Sequence, residues 1–209
     1  MTLTMNANRN QPSLNSRCCG DLLPWLVLIG LIIFGFSSRL LIADIPNFKP
    51  IAAIALFSGF FFRKAWMAML TISLALLISD WQIGSYHWPI ALSVYGSLLV
   101  GCLVGRYFVG QNGARRTSKF SVIKTGAAAL MMSCLFFVVT NFAVWACGVW
   151  YPQSTEGLVS CFVNAVPFFK YTLAGDVFFT AVVFGSYALS LAVVNRKSKL
   201  VQLTPDTVQ

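Results

Sequence analysis

Charged residues are scarce in this sequence. Asp, Glu, Lys and Arg make up only 10% of its 209 residues, and hydrophobic residues make up 57%. A soluble globular domain carries about 25% charged residues. The charge that is present avoids six long apolar runs almost completely, and this excludes an ordinary soluble domain. Lipid must therefore solvate most of the chain.

Sequence motifs of common enzyme classes are also missing. The sequence has no nucleophile elbow, no phosphate-binding loop and no zinc-binding helix motif. Its six cysteines do not have the spacing of a metal site, so we predict no metal and no cofactor. Cys147 and Cys161 both fall near one predicted membrane face, where they either form a disulfide or remain free thiols.

The apolar runs predict membrane-spanning helices, because a helix needs about 20 apolar residues to cross a bilayer. The predicted spans are residues 22–38, 51–62, 65–79, 89–108, 121–150 and 171–194. The segment 151–170 is too polar at its start and too short in its apolar part to span. We predict it as an outer loop that contains an interfacial helix at 158–168.

The basic residues predict the orientation of these spans. Twelve of the 15 lie in the two tails and in every second gap between the runs or at the run ends beside it: Arg9, Arg17, Arg63, Lys64, Arg106, Arg115, Arg116, Lys119, Lys124, Arg196, Lys197 and Lys199. Cationic loops stay on the cytoplasmic side. The net charge of +9 also suggests nucleic acid, but cations in such clusters are better explained by topology and anionic lipid headgroups. We therefore expect the lipid bilayer, and no nucleic acid, as a partner.

Together these patterns predict an all-α membrane protein with about six transmembrane helices and both termini in the cytoplasm. A polar tail at 1–21 precedes a membrane domain at 22–195, and a second tail follows at 196–209. No cleavable signal peptide is predicted, because the first 20 residues are polar and no small-residue cleavage site follows the first run. The first span should therefore remain in the mature protein.

Many of the remaining polar residues share the predicted outer level, although they come from different loops and span ends. Asp176 and Asn141 lie within runs, where polar groups are costly unless they pair or face a cavity. Plausible ion pairs are Arg39 with Asp44 and Lys170 with Asp176. The candidate ligand-binding residues are Asn47, Asp80, Asn141, Trp145, Lys170, Tyr171 and Asp176.

In a ligand cavity, the amide and carboxyl groups would orient the ligand and the aromatic rings would form walls. Lys170 or Arg39 would meet an anionic group. Two alternatives remain open. The polar residues could serve pairing alone, in a membrane-embedded structural or assembly partner. An intramembrane aspartyl enzyme could use Asp80 and Asp176 as a proton-sharing pair, although the sequence before Asp176 lacks the glycine that intramembrane aspartyl proteases carry two residues earlier. We predict a protein without enzymatic activity.

Small residues recur at helical spacing on two of the predicted spans. Ser97, Gly101 and Gly105 follow one face of the fourth span, and Ala181 and Gly185 follow the sixth. Such stripes let helix backbones approach closely in lipid. We interpret both as packing surfaces within the chain rather than as surfaces for a partner.

The stretch 45–59 reads IPNFKPIAAIALFSG. It resembles the opening signature of an uncharacterised bacterial family of integral membrane proteins. Further matches are Ser79-Asp80, the stretches 140–145 and 167–169, and Gly175-Asp176. The resemblance covers about residues 37–190.

That family is similar, more distantly, to the substrate-binding subunits (S components) of energy-coupling-factor vitamin transporters. This similarity implies a six-helix bundle in the bacterial inner membrane and a pocket for a small solute near the outer face. It also implies a transporter coupling module as a partner. S components commonly dock to that module through an alanine-x-x-x-alanine face on the first helix. The first run here has only Gly30 and Gly35, and the nearest substitute is Ala55 with Gly59 on the second.

Overall fold

A computed structural model describes residues 14–42, 44–84, 87–110 and 120–203 of the chain, with the backbone alone described for 14–21, 83 and 199–203. Six α-helices follow one another, and no strand occurs among the described residues. They are α1 (Leu14–Leu41), α2 (Ile51–Phe61), α3 (Ala65–Ile83), α4 (Trp88–Val104), α5 (Val122–Ala146) and α6 (Thr155–Leu203). A π-helical turn, Gly105–Val109, continues α4.

Five of these helices are long and apolar enough to cross a membrane. Their apolar parts are Leu22–Leu41, Ala65–Gln82, Trp88–Val109, Val122–Ala146 and Thr155–Ser198. Many of their large apolar side chains are exposed on the surface of the bundle, as expected where lipid is the solvent. The predicted all-α membrane fold is confirmed.

The second predicted span is a short helix that is almost completely buried. Helix α2 has 11 residues, about 16 Å of helix, and this is too short for a hydrocarbon layer of about 30 Å. Ten of the 11 residues are buried, and α2 packs against α3, α4 and α6. A helix that is apolar on every side is stable when protein surrounds it. It therefore passes through the centre of the bundle, from the α1–α2 loop at one end to Phe60 at the other, and is covered by protein instead of lipid.

Glycines allow α2 and α4 to cross at very short range. A Cβ atom added to Gly105 would lie 1.9 Å from the carbonyl oxygen of Leu56, and one added to Gly59 would lie 1.9 Å from that of Cys102. Gly101 packs against Ala55 and Met132 in the same interface. The stripe predicted on the fourth span therefore packs within the chain. The second stripe does not behave in this way, because Ala181 and Gly185 are exposed.

An aromatic cluster closes one end of the bundle. Phe57 and Phe60 of α2 both contact Phe184 and Tyr187 of α6, with ring centroids 5.3–5.6 Å apart. The Arg106 guanidinium donates to the backbone carbonyls of Phe62, at 3.4 Å, and Arg63, at 2.9 Å. This is the end that the basic residues predict to be cytoplasmic. Arg9, Arg115, Arg116 and Lys119, on which that prediction also rests, lie outside the described residues.

The predicted outer loop at 151–170 is wrong beyond residue 154, because the helix expected at 158–168 is part of the sixth helix. Helix α6 is continuous over 49 residues, about 74 Å at 1.5 Å per residue. The Ser154 hydroxyl accepts a hydrogen bond from the Gly157 amide at 3.1 Å, which is an N-cap, and Glu156 lies in the first turn. Pro167 lies within the helix, where membrane helices tolerate proline. At its other end α6 continues past residue 196, where the second tail was predicted to begin.

Candidate functional site: a cavity beside the α1–α2 loop

A cavity of about 420 Å³ lies where the α1–α2 loop meets α3, α4, α5 and α6. Its wall is mainly apolar, and aromatic rings come from Phe136, Phe137, Phe168 and Phe169. The polar residues of the wall are Arg39, Asn47, Lys49, Thr140, Asn141, Thr172 and Asp176. Small-molecule sites in proteins have volumes of about 300–1,000 Å³ and combine an apolar lining with a few polar groups. The cavity has both properties.

The α1–α2 loop brings Asn47 and Lys49 to the cavity wall. Asn47 has a φ angle of 60°, a left-handed conformation that asparagine tolerates better than most residues. Phe48 then contacts Phe179 of α6, with ring centroids 5.2 Å apart. Gly175 permits this contact, because a Cβ atom there would lie 3.1 Å from the Phe48 Cα. The loop therefore packs closely against α6, because the Phe48 ring contacts Phe179 and Gly175 has no side chain to keep the two backbones apart.

Lys49 is half-buried in this loop, and its ammonium donates a hydrogen bond to the Ile42 carbonyl at the end of α1. Burial lowers the pKa of Lys49, and the nearby Arg39 guanidinium lowers it further, while Asp44 opposes both effects. Asp44 itself is exposed on the same loop.

Arg39 pairs with Asp80, so the predicted pair of Arg39 with Asp44 is wrong. The guanidinium Nη2 lies 2.7 Å from Asp80 Oδ1, and Nη1 donates to the Ser79 hydroxyl. The Tyr95 hydroxyl donates to Asp80 Oδ2 at 2.9 Å. Both charged side chains are largely buried. This network links α1, α3 and α4 and neutralises the cation on the cavity wall.

Asp176 does not pair with Lys170, so this second predicted pair is also wrong. The Ser133 hydroxyl of α5 donates to Asp176 Oδ2 at 2.6 Å, and Asp176 is only 4% exposed. The Lys170 ammonium instead lies over the ring of Tyr171, 4.9 Å from its centroid. Ser133 was not predicted as the partner of Asp176, because nothing in an apolar run shows that one of its serines bonds to a residue 43 positions away.

Asn141 is held by its own helix. Its side-chain amide donates to the Phe137 carbonyl at 2.8 Å, while its backbone carbonyl accepts from the Cys161 thiol at 3.4 Å. No hydrogen bond to its side-chain oxygen occurs among the described residues. Cys147 and Cys161 are both free thiols.

The structure separates the predicted ligand residues into three groups. Asn47, Asn141 and Asp176 line the cavity. Asp80 does not line the cavity, but it forms an ion pair with Arg39, which does line it. Trp145, Lys170 and Tyr171 lie elsewhere; the Trp145 indole donates to the Pro152 carbonyl at 3.1 Å and so fastens the turn between α5 and α6.

Several wall residues were not predicted. The four phenylalanines cannot be distinguished in the sequence from other apolar residues of a span. The hydroxyls of Thr140 and Thr172 donate hydrogen bonds to backbone carbonyls of their own helices. Thr140 alone could have been suggested as a cavity residue, because it directly precedes Asn141 in the stretch 140–145 that matches the family.

These features define an integral membrane protein with a partly polar cavity at one end of its helical bundle. The chain belongs to DUF6580, a family of unknown function, whose sequence profile matches residues 22–200. No curated protein and no solved structure matches the chain.

Proposed function

We propose that this protein binds a small solute in the cavity for uptake across a bacterial inner membrane. The cavity itself is the observation that carries the proposal, because its volume of about 420 Å³ and its mixed lining suit a small molecule. In this proposal the cavity faces outward, since the basic residues predict a cytoplasmic position for the opposite end of the bundle. The resemblance to S components points to the same role.

Three features of the wall support recognition of a specific ligand. The α1–α2 loop is fixed against α6 by Phe48, so Asn47 and Lys49 are already in place. Asn141 has an amide oxygen without a partner among the described residues, and such a group can orient a ligand. The Arg39–Asp80 network links α1, α3 and α4 beside the cavity. Preorganised groups of this kind lower the entropic cost of binding.

The proposal does not require an enzymatic step. Asp80 and Asp176, the two carboxylates that an aspartyl enzyme would need as a pair, have separate partners: Arg39 and Tyr95 for the first, Ser133 for the second. A coupling module remains part of the proposal only through the resemblance to S components.

Native mass spectrometry of the purified protein tests the proposal most directly. A small molecule that co-purifies with the chain and leaves on mild activation is expected. A binding screen of vitamins and related solutes against the same preparation identifies the chemical class.

A matched pair of variants then shows whether the solute occupies the cavity. Ala165 lines the cavity, whereas its neighbour Val166 is 57% exposed on the same helix. Ala165→Phe should fill the space and remove binding, while Val166→Phe should leave binding unchanged. If a stable parent protein binds nothing and carries nothing, the alternative of a structural or assembly partner replaces this proposal.

A further inference from the structure

The cavity wall holds one cation and one acidic group that form no ion pair with any of the described residues. Its ionisable residues are Arg39, Lys49 and Asp176. Arg39 is neutralised by Asp80. Neither Lys49 nor Asp176 forms an ion pair within the described part of the chain, although Asp44, exposed on the same loop, opposes the lowering of the Lys49 pKa.

These two groups belong to backbone segments that touch, yet their side chains do not meet. A Cβ atom on Gly175 would lie 3.2 Å from the Lys49 amide nitrogen, and Asp176 is the next residue. The Lys49 ammonium nevertheless bonds to the end of α1 through Ile42, and the Asp176 carboxyl bonds to α5 through Ser133. The fold therefore keeps the two groups on different parts of the wall.

Both groups have hydrogen-bonding capacity to spare. A lysine ammonium carries three donors, and the Ile42 carbonyl takes one. Asp176 Oδ1 has no hydrogen-bond partner among the described residues, since Ser133 binds the other oxygen. Polar groups of this kind are costly in a low-dielectric site unless something binds them. A ligand with complementary groups at both points would offset that cost.

We propose that the solute is dipolar, with an anionic group at Lys49, an ammonium or other N–H donor at Asp176, and an apolar body against the phenylalanines. This inference rests on the proposed function, because it names the chemical class that the cavity would take. It also replaces Lys170 and Arg39, the predicted anion-binding residues, with Lys49.

Four probes that share a phenyl group test the inference on the purified full-length protein. They are phenylalanine (dipolar), phenylpropionate (anionic), phenethylamine (cationic) and phenylpropanol (neutral), each titrated by calorimetry. One additional charge-assisted hydrogen bond corresponds to roughly a tenfold gain in affinity. Phenylalanine should therefore bind at least about tenfold more tightly than either singly charged probe.

Two variants connect each charge of the probe to its residue. Lys49→Gln should weaken phenylpropionate roughly tenfold and leave phenethylamine unchanged, and Asp176→Asn should do the reverse. Lys197→Gln and Glu156→Gln, at exposed positions of α6, are the controls and should change neither probe. If Asp176→Asn fails to fold, the Lys49 variant still decides whether the anionic end is bound there.

Equal affinity for phenylpropanol and phenylalanine would overturn the inference, as would the absence of binding by all four probes at millimolar concentration. Equal losses for both charged probes in Lys49→Gln would also count against it. The proposed function fails separately, when no solute co-purifies and the screen finds none. A neutral co-purifying solute displaced by Ala165→Phe would keep the proposed function and reject the dipolar ligand.

Discussion

Replacing Gly105 with alanine should strongly destabilise the bundle, because it adds an atom where two helix backbones meet. The new Cβ would lie 1.9 Å from the carbonyl oxygen and 2.7 Å from the carbonyl carbon of Leu56. Favourable contacts between carbon and carbonyl oxygen occur at roughly 3.3–3.6 Å. Helices α2 and α4 would therefore have to separate by roughly 1.5 Å, or the π-helical turn would have to distort.

The size of the effect follows from what has to move. Overpacking of a core typically lowers the free energy of unfolding by about 1–3 kcal/mol. In many such cases the atoms that must move belong to flexible side chains. Here they belong to the backbone of α2, which is the most buried helix. We expect a loss of about 3 kcal/mol in the free energy of unfolding, or a drop in Tm of about 6–12 °C for a chain of this length.

The assay is thermal unfolding in detergent, followed by far-ultraviolet circular dichroism, with Gly126→Ala as the matched control. Gly126 lies within α5, and a Cβ atom there would meet nothing within 4 Å. That variant should be neutral or more stable, because alanine favours the helical conformation over glycine by about 1 kcal/mol. Equal Tm values for the two variants would refute the close crossing of α2 and α4.

Three further predictions concern the ion pair, the aromatic cluster and the topology. Arg39→Met and Asp80→Leu should each cost about 3–5 kcal/mol, because each strands a buried charge, and the double variant should recover much of the loss; strictly additive losses in a double-mutant cycle would show that the pair is not coupled. Phe57→Ala should lower the free energy of unfolding by about 3–5 kcal/mol, because it removes the ring that contacts Phe184 and Tyr187 of α6. An unchanged midpoint of chemical denaturation would contradict that packing. Cysteines introduced at Glu156 and Ser198, which lie near opposite ends of α6, should react with an impermeant reagent in intact cells at the first position only, and labelling at Ser198 alone would reverse the orientation.

Much of the secondary structure was predictable, because solvation by lipid acts on each segment by itself. The runs 65–79 and 121–150 correspond closely to α3 and α5, since a long, predominantly apolar stretch must satisfy its backbone hydrogen bonds within a helix wherever it enters the hydrocarbon. No long-range contact is needed for that conclusion. The fold class could therefore be predicted from the sequence.

The role of α2 could not be predicted in the same way. Residues 51–62 are as apolar as the neighbouring runs, and a transmembrane helix and a fully buried helix share that property. What separates them is the close crossing with α4, which depends on Gly59 and Gly105 facing carbonyl groups of another helix. The continuity of α6 through Pro167 is likewise decided by its neighbours, because proline breaks a helix in water but is tolerated in a membrane bundle.

For the candidate site, the sequence determined which residues needed partners, and the tertiary structure decided which partners they have. The cost of a buried charge is a local property, so Arg39, Asp80 and Asp176 could be recognised within or beside their apolar runs. Hydrogen bonds and ion pairs act over only a few ångströms, so partner choice depends on how helices distant in sequence are packed. Arg39 reaches Asp80 on α3, and Asp176 reaches Ser133 on α5. Helix packing therefore placed Lys49 on the cavity wall and left Lys170 outside it.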